Sequence, residues 1–302
     1  MKKRRVFGIG EIVLDVIFRQ GQPQASMAGG SVLNALVSLS RGDESVFIVS
    51  ETGQDHVGEM ILSFLDDNGI STEYVYRFEK GQTPVAFAFL NDQMNASYEF
   101  YKQYPSVRRL IIPKTFSSDD VLLFGSFYGI APEVREDVRK AVSEAKKNNA
   151  LIIYDPNIRS QHKLDENCRN FIIENMIMAN IIRASDEDLN YIFGVDNPEN
   201  AYNIVKEYCD ILVVTQNSKD VILFTHDLCI SYPVPRIKPV STIGAGDNFN
   251  AGMVKAIITN NIKSNDLNVN GRVTEDSWNK IIMEGISYSS KVCLSYENYI
   301  PK

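Results

Sequence analysis

One stretch decides the fold, and it reads Ser241-Thr242-Ile243-Gly244-Ala245-Gly246-Asp247-Asn248-Phe249-Asn250-Ala251-Gly252. Small residues precede Asp247 and apolar residues follow it at helical spacing, which predicts a turn that runs into a helix. The N–H groups of Gly244, Ala245 and Gly246 would then lie at the helix start, without intrahelical partners and at the positive end of the helix dipole. Such a helix start favours a phosphate or a developing oxyanion.

Asp247 adds a carboxylate to the same first turn. Phosphoryl transfer uses both features, because the N–H groups stabilise charge on the moving phosphoryl group while a carboxylate accepts the proton of an attacking hydroxyl. A second interpretation is that Asp247 only caps the helix, since aspartate is a preferred capping residue. The stretch by itself leaves both interpretations open.

Composition limits the classes of protein that the chain can belong to. Its 302 residues, 44% of them hydrophobic, fit one α/β domain over residues 1–302 with an elaboration. A formal charge of -7 argues against a nucleic-acid surface, and no apolar run is as long as a membrane span. The four scattered cysteines predict reduced thiols and no metal cluster. We therefore expect a cytoplasmic protein that binds neither nucleic acid nor membrane.

A second glycine cluster lies early in the chain. Gly29-Gly30 predicts a sharp turn into a helix, with Asn34 about one turn further on. Asn34 either binds a polyol or is a solvated helix residue. Asp15 is a charge in a predicted strand over residues 12–18, so it lies on a solvated edge or is directed at a polar ligand.

Aromatic residues predict a small separate sheet. Residues 83–90 and 98–101 have the pattern of a hairpin, which is marginal alone and so is expected to pair with residues 12–18. We expect these strands to form a lid, inserted at approximately 11–30 and 83–104. Neither face of the strand over 83–90 is polar, and an exposed apolar face marks an interaction surface. A homodimer through the lid strands is the predicted assembly.

Further along, predicted strands alternate with predicted helices. The strands lie at 6–9, 46–49, 121–124, 151–154, 181–182 and 211–215, with short ones near 222 and 230. The helices lie near 167–178 and 186–193, with another that starts at Pro132. Alternation implies a mostly parallel sheet with helices on both faces, and ligands that bind at the carboxyl ends of the strands. Polar clusters follow three of the strands, at 155–159, 185–188 and 215–217.

Four motifs together resemble a known family. Gly29-Gly30-x-x-x-Asn34 and Gly244-Ala245-Gly246-Asp247 resemble the paired signatures of the ribokinase (PfkB) carbohydrate kinases. Gly10-Glu11-x-x-x-Asp15 and Asp155-Pro156-Asn157-x-Arg159 are similar to the fructokinase branch. The resemblance covers essentially the whole chain in the expected order. It implies an ATP-dependent kinase with a ribokinase-like, Rossmann-type α/β sandwich and a small β-sheet lid.

The resemblance also implies roles for individual residues. Asp247 would be the general base, with the N–H groups of Gly244, Ala245 and Gly246 as the anion hole. Substrate-binding positions would be Asp15, Gly29, Gly30, Asn34 and Arg159, the last of them near the phosphates. The nucleotide would lie against Ser185, Asp188, Thr215, Asn217 and Gly246. Asp188 would also help to organise Mg²⁺, indirectly.

The chain departs from the family pattern at three places. Ser241-Thr242-Ile243 replaces the usual Asp-Thr-Thr, so we expect weak or absent activation by a monovalent cation. Ser185-x-x-Asp188 replaces Asn-x-x-Glu. In the nucleotide turn, two usual glycines are replaced by Asn217 and Asp220, residues that tolerate a left-handed backbone.

Three functions follow as hypotheses. The first is an ATP-dependent kinase that phosphorylates a hydroxymethyl group of a small sugar, with fructose or a related ketose favoured. The second is a nucleoside kinase of the same fold, against which the fructokinase-like motifs argue mildly. The third is a catalytically weak regulator that binds sugar or nucleotide, which the altered nucleotide turn favours and the intact 244–247 run opposes.

Overall fold

Two β-sheets organise the chain in a computed structural model, which describes residues 3–91, 96–158, 163–268, 271 and 273–302. The larger sheet has nine strands, in the order β13-β12-β11-β10-β9-β8-β1-β4-β5. These strands are β1 (Arg5–Ile9), β4 (Ser45–Gly53), β5 (Ser71–Phe78), β8 (Val121–Gly125), β9 (Leu151–Asp155), β10 (Ile181–Ser185), β11 (Leu212–Thr215), β12 (Val221–Phe224) and β13 (Cys229–Tyr232). The smaller sheet has the order β3-β2-β6-β7, formed by β2 (Val13–Arg19), β3 (Gln22–Gly29), β6 (Gln82–Leu90) and β7 (Ala96–Gln103).

Helices connect the strands and cover the large sheet. They are α1 (Ser31–Arg41), α2 (His56–Asp67), α3 (Arg135–Lys147), α4 (Glu166–Met178), α5 (Asp186–Phe193), α6 (Pro198–Val205), α7 (Ala245–Thr259) and α8 (Glu275–Cys293). Because side chains alternate along a strand, Leu123 of β8 packs into one apolar cluster and Leu122 into the other. The first cluster contains residues of α1, α7 and α8, and the second contains residues of α3, α4 and α5. Helices therefore lie on both faces, as predicted.

The large sheet is mostly parallel, which confirms the predicted fold class. Each adjacent pair from β5 through β11 is parallel. The exception is the edge, where β12 pairs antiparallel with both β11 and β13. Short turns join these strands, and a short connection cannot return the chain to a parallel start. The strands predicted near 222 and 230 therefore exist, but they do not continue the parallel pattern.

The small sheet confirms the predicted aromatic hairpin. β6 and β7 are antiparallel, and β6 also pairs with β2 in parallel register. The sequence also predicts a polar turn over residues 91–93 between these strands, and residues 92–93 lie outside the described residues. Sequence reasoning missed β3, which pairs with the free edge of β2. Most of β3 is exposed, so its sequence lacks the apolar alternation that marks a half-buried strand.

Other elements differ from the sequence-based expectations. Pro132 lies in a turn ahead of α3, which begins at Arg135. The strand β5 and the helices α6 and α8 were not predicted. Among the described residues, none of the helices combines the length and the apolarity needed to cross a bilayer.

The packing of α7 against α8 depends on a glycine. A Cβ built on Gly252 of α7 would lie 2.3 Å from the backbone oxygen of Glu284 in α8, so the two helices meet backbone to backbone. This contact fixes α7, and with it the turn at Gly244.

We predict that Gly252→Ala lowers the free energy of unfolding by about 1–3 kcal/mol, the usual cost of overpacking. Without the clash the same change would stabilise the helix, by roughly 0.5–1 kcal/mol. Gly129→Ala is the matched control, because its Cβ would meet its nearest neighbour at 3.7 Å. Urea denaturation measures both variants, and equal stability of the two would contradict the backbone contact.

Candidate active site

A large cleft lies at the carboxyl ends of the parallel strands. Its volume is about 1600 Å³, above the range of about 300–1000 Å³ that is usual for one small ligand. Residues at or just beyond the ends of five adjacent strands line it: Glu11, Ser126, Asn157, Ser185 and Thr215. The small sheet adds Val13, Asp15, Tyr98, Phe100 and Lys102. The predicted polar clusters thus meet at one edge of the sheet, in a cleft large enough for two substrates.

The start of α7 forms the centre of the cleft. Gly244 is its N-cap in the left-handed conformation, with φ of 77°, and a Cβ there would lie 2.4 Å from the Asn298 carbonyl oxygen. The buried Asn248 amide donates to the carbonyl oxygens of Gly244 (2.7 Å) and Asn298 (2.8 Å). The Ala245 N–H donates to the Thr242 carbonyl oxygen at a long 3.3 Å. The predicted turn into a helix is confirmed, and the side chain of Asn248 holds it.

Asp247 is buried beside this turn. Asn34 Nδ2 donates to its Oδ2 at 2.8 Å, and Asn157 Nδ2 approaches its Oδ1 at 3.5 Å. The N-cap of α7 is Gly244, so Asp247 is not the capping residue that the second sequence interpretation required. The structure therefore joins Asn34 and Asp247, which are 213 positions apart, in one contact.

Asp15 lies across the cleft from the large sheet. It is 7% exposed, which excludes the solvated-edge interpretation, and Asn298 Nδ2 approaches its Oδ2 at 3.4 Å. A Cβ on Gly29 would lie 2.1 Å from that Oδ2 atom, so Gly29 makes room for the carboxylate. Gly30 has φ of 132°, and its Cβ would lie 2.1 Å from the Glu11 carbonyl oxygen. Gly29 is therefore needed because the Asp15 carboxylate approaches its backbone closely, and Gly30 because its backbone has a positive φ.

Ser185 and Asp188 form a capping box at the start of α5. Asp188 Oδ2 accepts hydrogen bonds from the Ser185 N–H (3.0 Å) and hydroxyl (2.6 Å), and its Oδ1 accepts one from the Ile158 N–H (2.8 Å). Burial raises the pKa of Asp188, and the nearby Asp155 carboxylate raises it further. Since both oxygens already accept hydrogen bonds, this carboxylate suits an indirect role near a metal ion better than direct coordination.

The nucleotide turn keeps part of the expected geometry. Asn217 has φ of 54°, so it adopts the left-handed conformation that a glycine would supply, whereas Asp220 does not. Thr215 ends β11 and accepts a hydrogen bond from Arg183. Arg159, the remaining predicted site residue, lies outside the described residues. In the part of the chain that is described, no three acidic, histidine or cysteine side chains converge in a way that could hold a metal ion.

Sequence reasoning missed a polar network that ties the small sheet to the large one. Lys102 Nζ and the Tyr104 hydroxyl both donate to the Glu11 carboxylate at 2.7 Å. The Arg108 guanidinium stacks on the Tyr104 ring, 3.6 Å from its centroid, and Arg108 Nε donates to Glu51 at 2.7 Å. Burial raises the pKa of Glu51, and Arg108 opposes that shift. These residues are far apart in sequence, so no motif could reveal them.

The fold and the site together define a class of protein. A mostly parallel sheet, a helix start with bare glycines, and a buried carboxylate beside them are the parts of a phosphotransferase site. The model of the pfkB family of carbohydrate kinases matches residues 3–267. The chain belongs to this family, and the predicted class of enzyme, an ATP-dependent carbohydrate kinase, is confirmed.

Individual relatives agree with this assignment. The chain is 29% identical to probable fructokinase-4 of Arabidopsis thaliana over 239 residues. This alignment covers 76% of this chain and 73% of the relative. It is 25% identical to fructokinase-1 of Zea mays over 268 residues, or 84% and 83% of the two chains. A fructokinase double mutant from Vibrio cholerae O395, solved with fructose, ADP and potassium ion, superposes with a TM-score of 0.83 at 18% identity over 99% and 95% of the chains. That structural likeness supports the ribokinase-like fold.

We predict that Asn248→Ala lowers the free energy of unfolding by about 1–3 kcal/mol, because it leaves buried hydrogen-bond partners unsatisfied. The turn at Gly244 should also shift, and a misplacement of about 1 Å near reacting groups costs roughly 10²-fold in kcat. Asn260→Ala at the other end of α7 is the matched control, since the hydrogen bond described for its side chain is to Ala256 of its own helix. A variant of Asn248 with normal kcat would show that the turn holds without it.

Proposed function

We propose that the chain transfers the γ-phosphate of ATP to a hydroxymethyl group of a small sugar, with fructose or a related ketose as the favoured acceptor. The observation that carries the proposal is the buried Asp247 carboxylate, held by Asn34 beside the bare start of α7. The curated fructokinase relatives support the choice of ketose.

In the proposed reaction, Asp247 accepts the proton of the sugar hydroxyl as its oxygen attacks the γ-phosphorus. The bond from that phosphorus to the bridging oxygen breaks, and ADP leaves. Gly244 and Gly246 donate N–H groups to the charge on the transferred phosphoryl, since no described residue accepts from them. Ala245 joins them once its long bond to Thr242 is given up.

The sugar is expected on the side of the cleft where the small sheet lies, with Asp15, Gly30 and Asn34 as partners for its hydroxyls. The nucleotide is expected beyond β10 and β11, along Ser185, Thr215 and Asn217. The small sheet would act as a lid over the sugar. Mg²⁺ would be bound mainly through the nucleotide phosphates, as is usual for this ion, with Asp188 acting through water. It would neutralise phosphate charge. Weak dependence on K⁺ and a cytoplasmic location stay predictions.

Release of ADP, measured with a coupled assay across sugars and nucleosides, tests the proposal. Turnover of ketoses above all other acceptors is the expected result. A preference for a nucleoside acceptor would instead show that the chain is a nucleoside kinase of the same fold. Tight binding of sugar or ATP without turnover would favour a regulator, for which the altered turn at Asn217 is the supporting observation.

We predict that Asp247→Asn lowers kcat by about 10²–10⁴-fold, the usual contribution of a general base, while the sugar still binds. Asp165→Asn is the control, because that carboxylate caps α4. Steady-state kinetics and calorimetric titration of the sugar measure the two effects. A variant of Asp247 with near-normal kcat would remove the general base from the proposal.

We predict that Asp15→Ala raises KM for the sugar far more than KM for ATP. A charged hydrogen bond contributes about 1.5–3 kcal/mol, which corresponds to roughly 10–150-fold in affinity. The comparison of the two KM values is its own control. Equal changes in both would place Asp15 away from the sugar.

We predict a homodimer through the outer face of the small sheet. Phe18, Phe87 and Phe89 pack there with ring centroids 5.3–6.4 Å apart, and Tyr101 extends the patch while 55% exposed. The opposite face carries Asp15 and lines the cleft, so only one face is available for a partner.

Sedimentation velocity of a Phe89→Glu, Tyr101→Glu double variant tests this assembly, because two charges on the patch should give monomers. Met60→Glu, an equally exposed apolar position on α2, is the control and should stay dimeric. A wild-type chain that is monomeric at all concentrations would refute the assembly.

A further inference from the structure

Arg183 is a buried cation that no sequence motif explained. It lies in β10 between Ile182 and Ala184, both fully buried, and is itself only 6% exposed. Burying a charge in such a strand is costly unless the charge is paired.

The guanidinium of Arg183 joins the ends of three adjacent strands. Its Nη1 donates to Asp155 Oδ2 at the end of β9 (2.9 Å), and its Nη2 donates to the Thr215 hydroxyl at the end of β11 (2.6 Å). Asn250 of α7 donates to the same Asp155 oxygen at 2.6 Å. One side chain thus links the nucleotide side of the cleft to α7.

The same guanidinium lies directly against Gly246. A Cβ built on Gly246 would be 2.8 Å from both Nη1 and Nη2 of Arg183. Gly246 has no positive φ that would require glycine, so the close approach of Arg183 is the reason for a glycine there. The cation consequently lies beside the helix start that is proposed to bind the transferred phosphoryl, and it lines the cleft.

This placement is electrostatically unfavourable in the absence of an anion. The start of a helix carries partial positive charge, so the helix start and an adjacent guanidinium repel each other. The ion pair with Asp155 compensates only in part, because that carboxylate also accepts from Asn250. Within the described residues, the buried atoms Arg183 Nε and Asp155 Oδ1 have no hydrogen-bond partner. An anion at the N–H groups would be attracted by both positive groups at once.

We propose that Arg183 is a positioning residue for phosphoryl transfer. It fixes the distance between Thr215 and Gly246, and its charge strengthens the attraction of the α7 N–H groups for the transferred phosphoryl. The inference rests on the proposed function. It adds a residue that acts from beside the anion site, on the side of Thr215 rather than on the side proposed for the sugar.

Arg183→Met and Arg183→Lys test the inference. We expect Arg183→Met to lower kcat by about 10–100-fold, less than the loss of a direct donor, with KM for the sugar within about twofold. Arg183→Lys should recover part of kcat, because it restores the charge but not the forked geometry. The matched control is Arg135→Met, since Arg135 is equally buried and paired with Glu174 but lies on α3, outside the cleft.

A merely structural role predicts a different pattern. Both methionine variants would then lose thermal stability alike, and Arg183→Met would keep kcat within about twofold of the control variant. That result overturns the inference. A rise in KM for ATP with unchanged kcat overturns it too, because Arg183 would then bind the nucleotide in the ground state.

The contact with Gly246 gives a second test, which does not need a stable Arg183→Met protein. Gly246→Ala alone should nearly abolish turnover, because the new methyl group meets the guanidinium. Arg183→Ser makes room for this methyl group. The kcat of the double variant should therefore be at least that of Gly246→Ala and within tenfold of that of Arg183→Ser. Additive losses would overturn the proposed contact.

A binding measurement separates this inference from the proposed function. The turnover of the wild-type chain alone tests the function, whereas Arg183 is tested by the ratio of variant to wild type. Thermal stabilisation by ADP with aluminium fluoride, compared with ADP alone, reports on the anion site when no sugar acceptor is known. Arg183→Met should lose at least half of the additional shift. An unchanged additional shift in Arg183→Met overturns the inference alone, whereas no additional shift in the wild type overturns the proposed anion site and the inference with it.

Discussion

The structure depends on keeping the start of α7 free of side chains while packing it from every side. The carbonyl oxygen of Asn298 fills the space beside Gly244, and the guanidinium of Arg183 fills the space beside Gly246. Both glycines are therefore required by neighbours that are distant in sequence. The packing of Gly252 on α8 fixes the direction of the helix axis, so the N–H groups are held in place before any ligand arrives.

This arrangement concentrates charge in the core. Asp15, Asp155, Asp188, Asp247 and Arg183 are all less than 9% exposed. Their described hydrogen-bond partners include asparagine and serine side chains and backbone N–H groups, and Asp155 also pairs with Arg183. Neutral partners hold a carboxylate in place without cancelling its charge. A site of this kind keeps charge available for a substrate, at a cost in stability that the two apolar clusters must offset.

The sequence contains the local parts of the site, and the fold supplies the contacts. The runs at 29–34 and 244–247 predicted two helix starts because a glycine turn and its helix are encoded within a few residues. Their meeting through Asn34 and Asp247 depends on the order of strands in the sheet, which no local pattern contains. The same reason explains why Arg183 was missed: its partners come from β9, β11 and α7. The strand β3 was missed because its register is set by β2 rather than by its own alternation.

The two sides of the cleft are lined differently: backbone groups form most of one side, and side chains form the other. On the side of the large sheet, backbone N–H groups and glycines form the wall, and the proposed reaction would use them in the same way for any sugar acceptor. On the other side, Tyr98, Phe100 and Lys102 project from β7 toward the cleft, and Ala86 and Ala88 lie beside them in register with small side chains. On this face of the small sheet, large residues of β7 lie opposite small residues of β6, so side chains determine the shape of this side of the cleft. The proposed function therefore assigns the choice among sugars to the small sheet, and phosphoryl transfer to the start of α7.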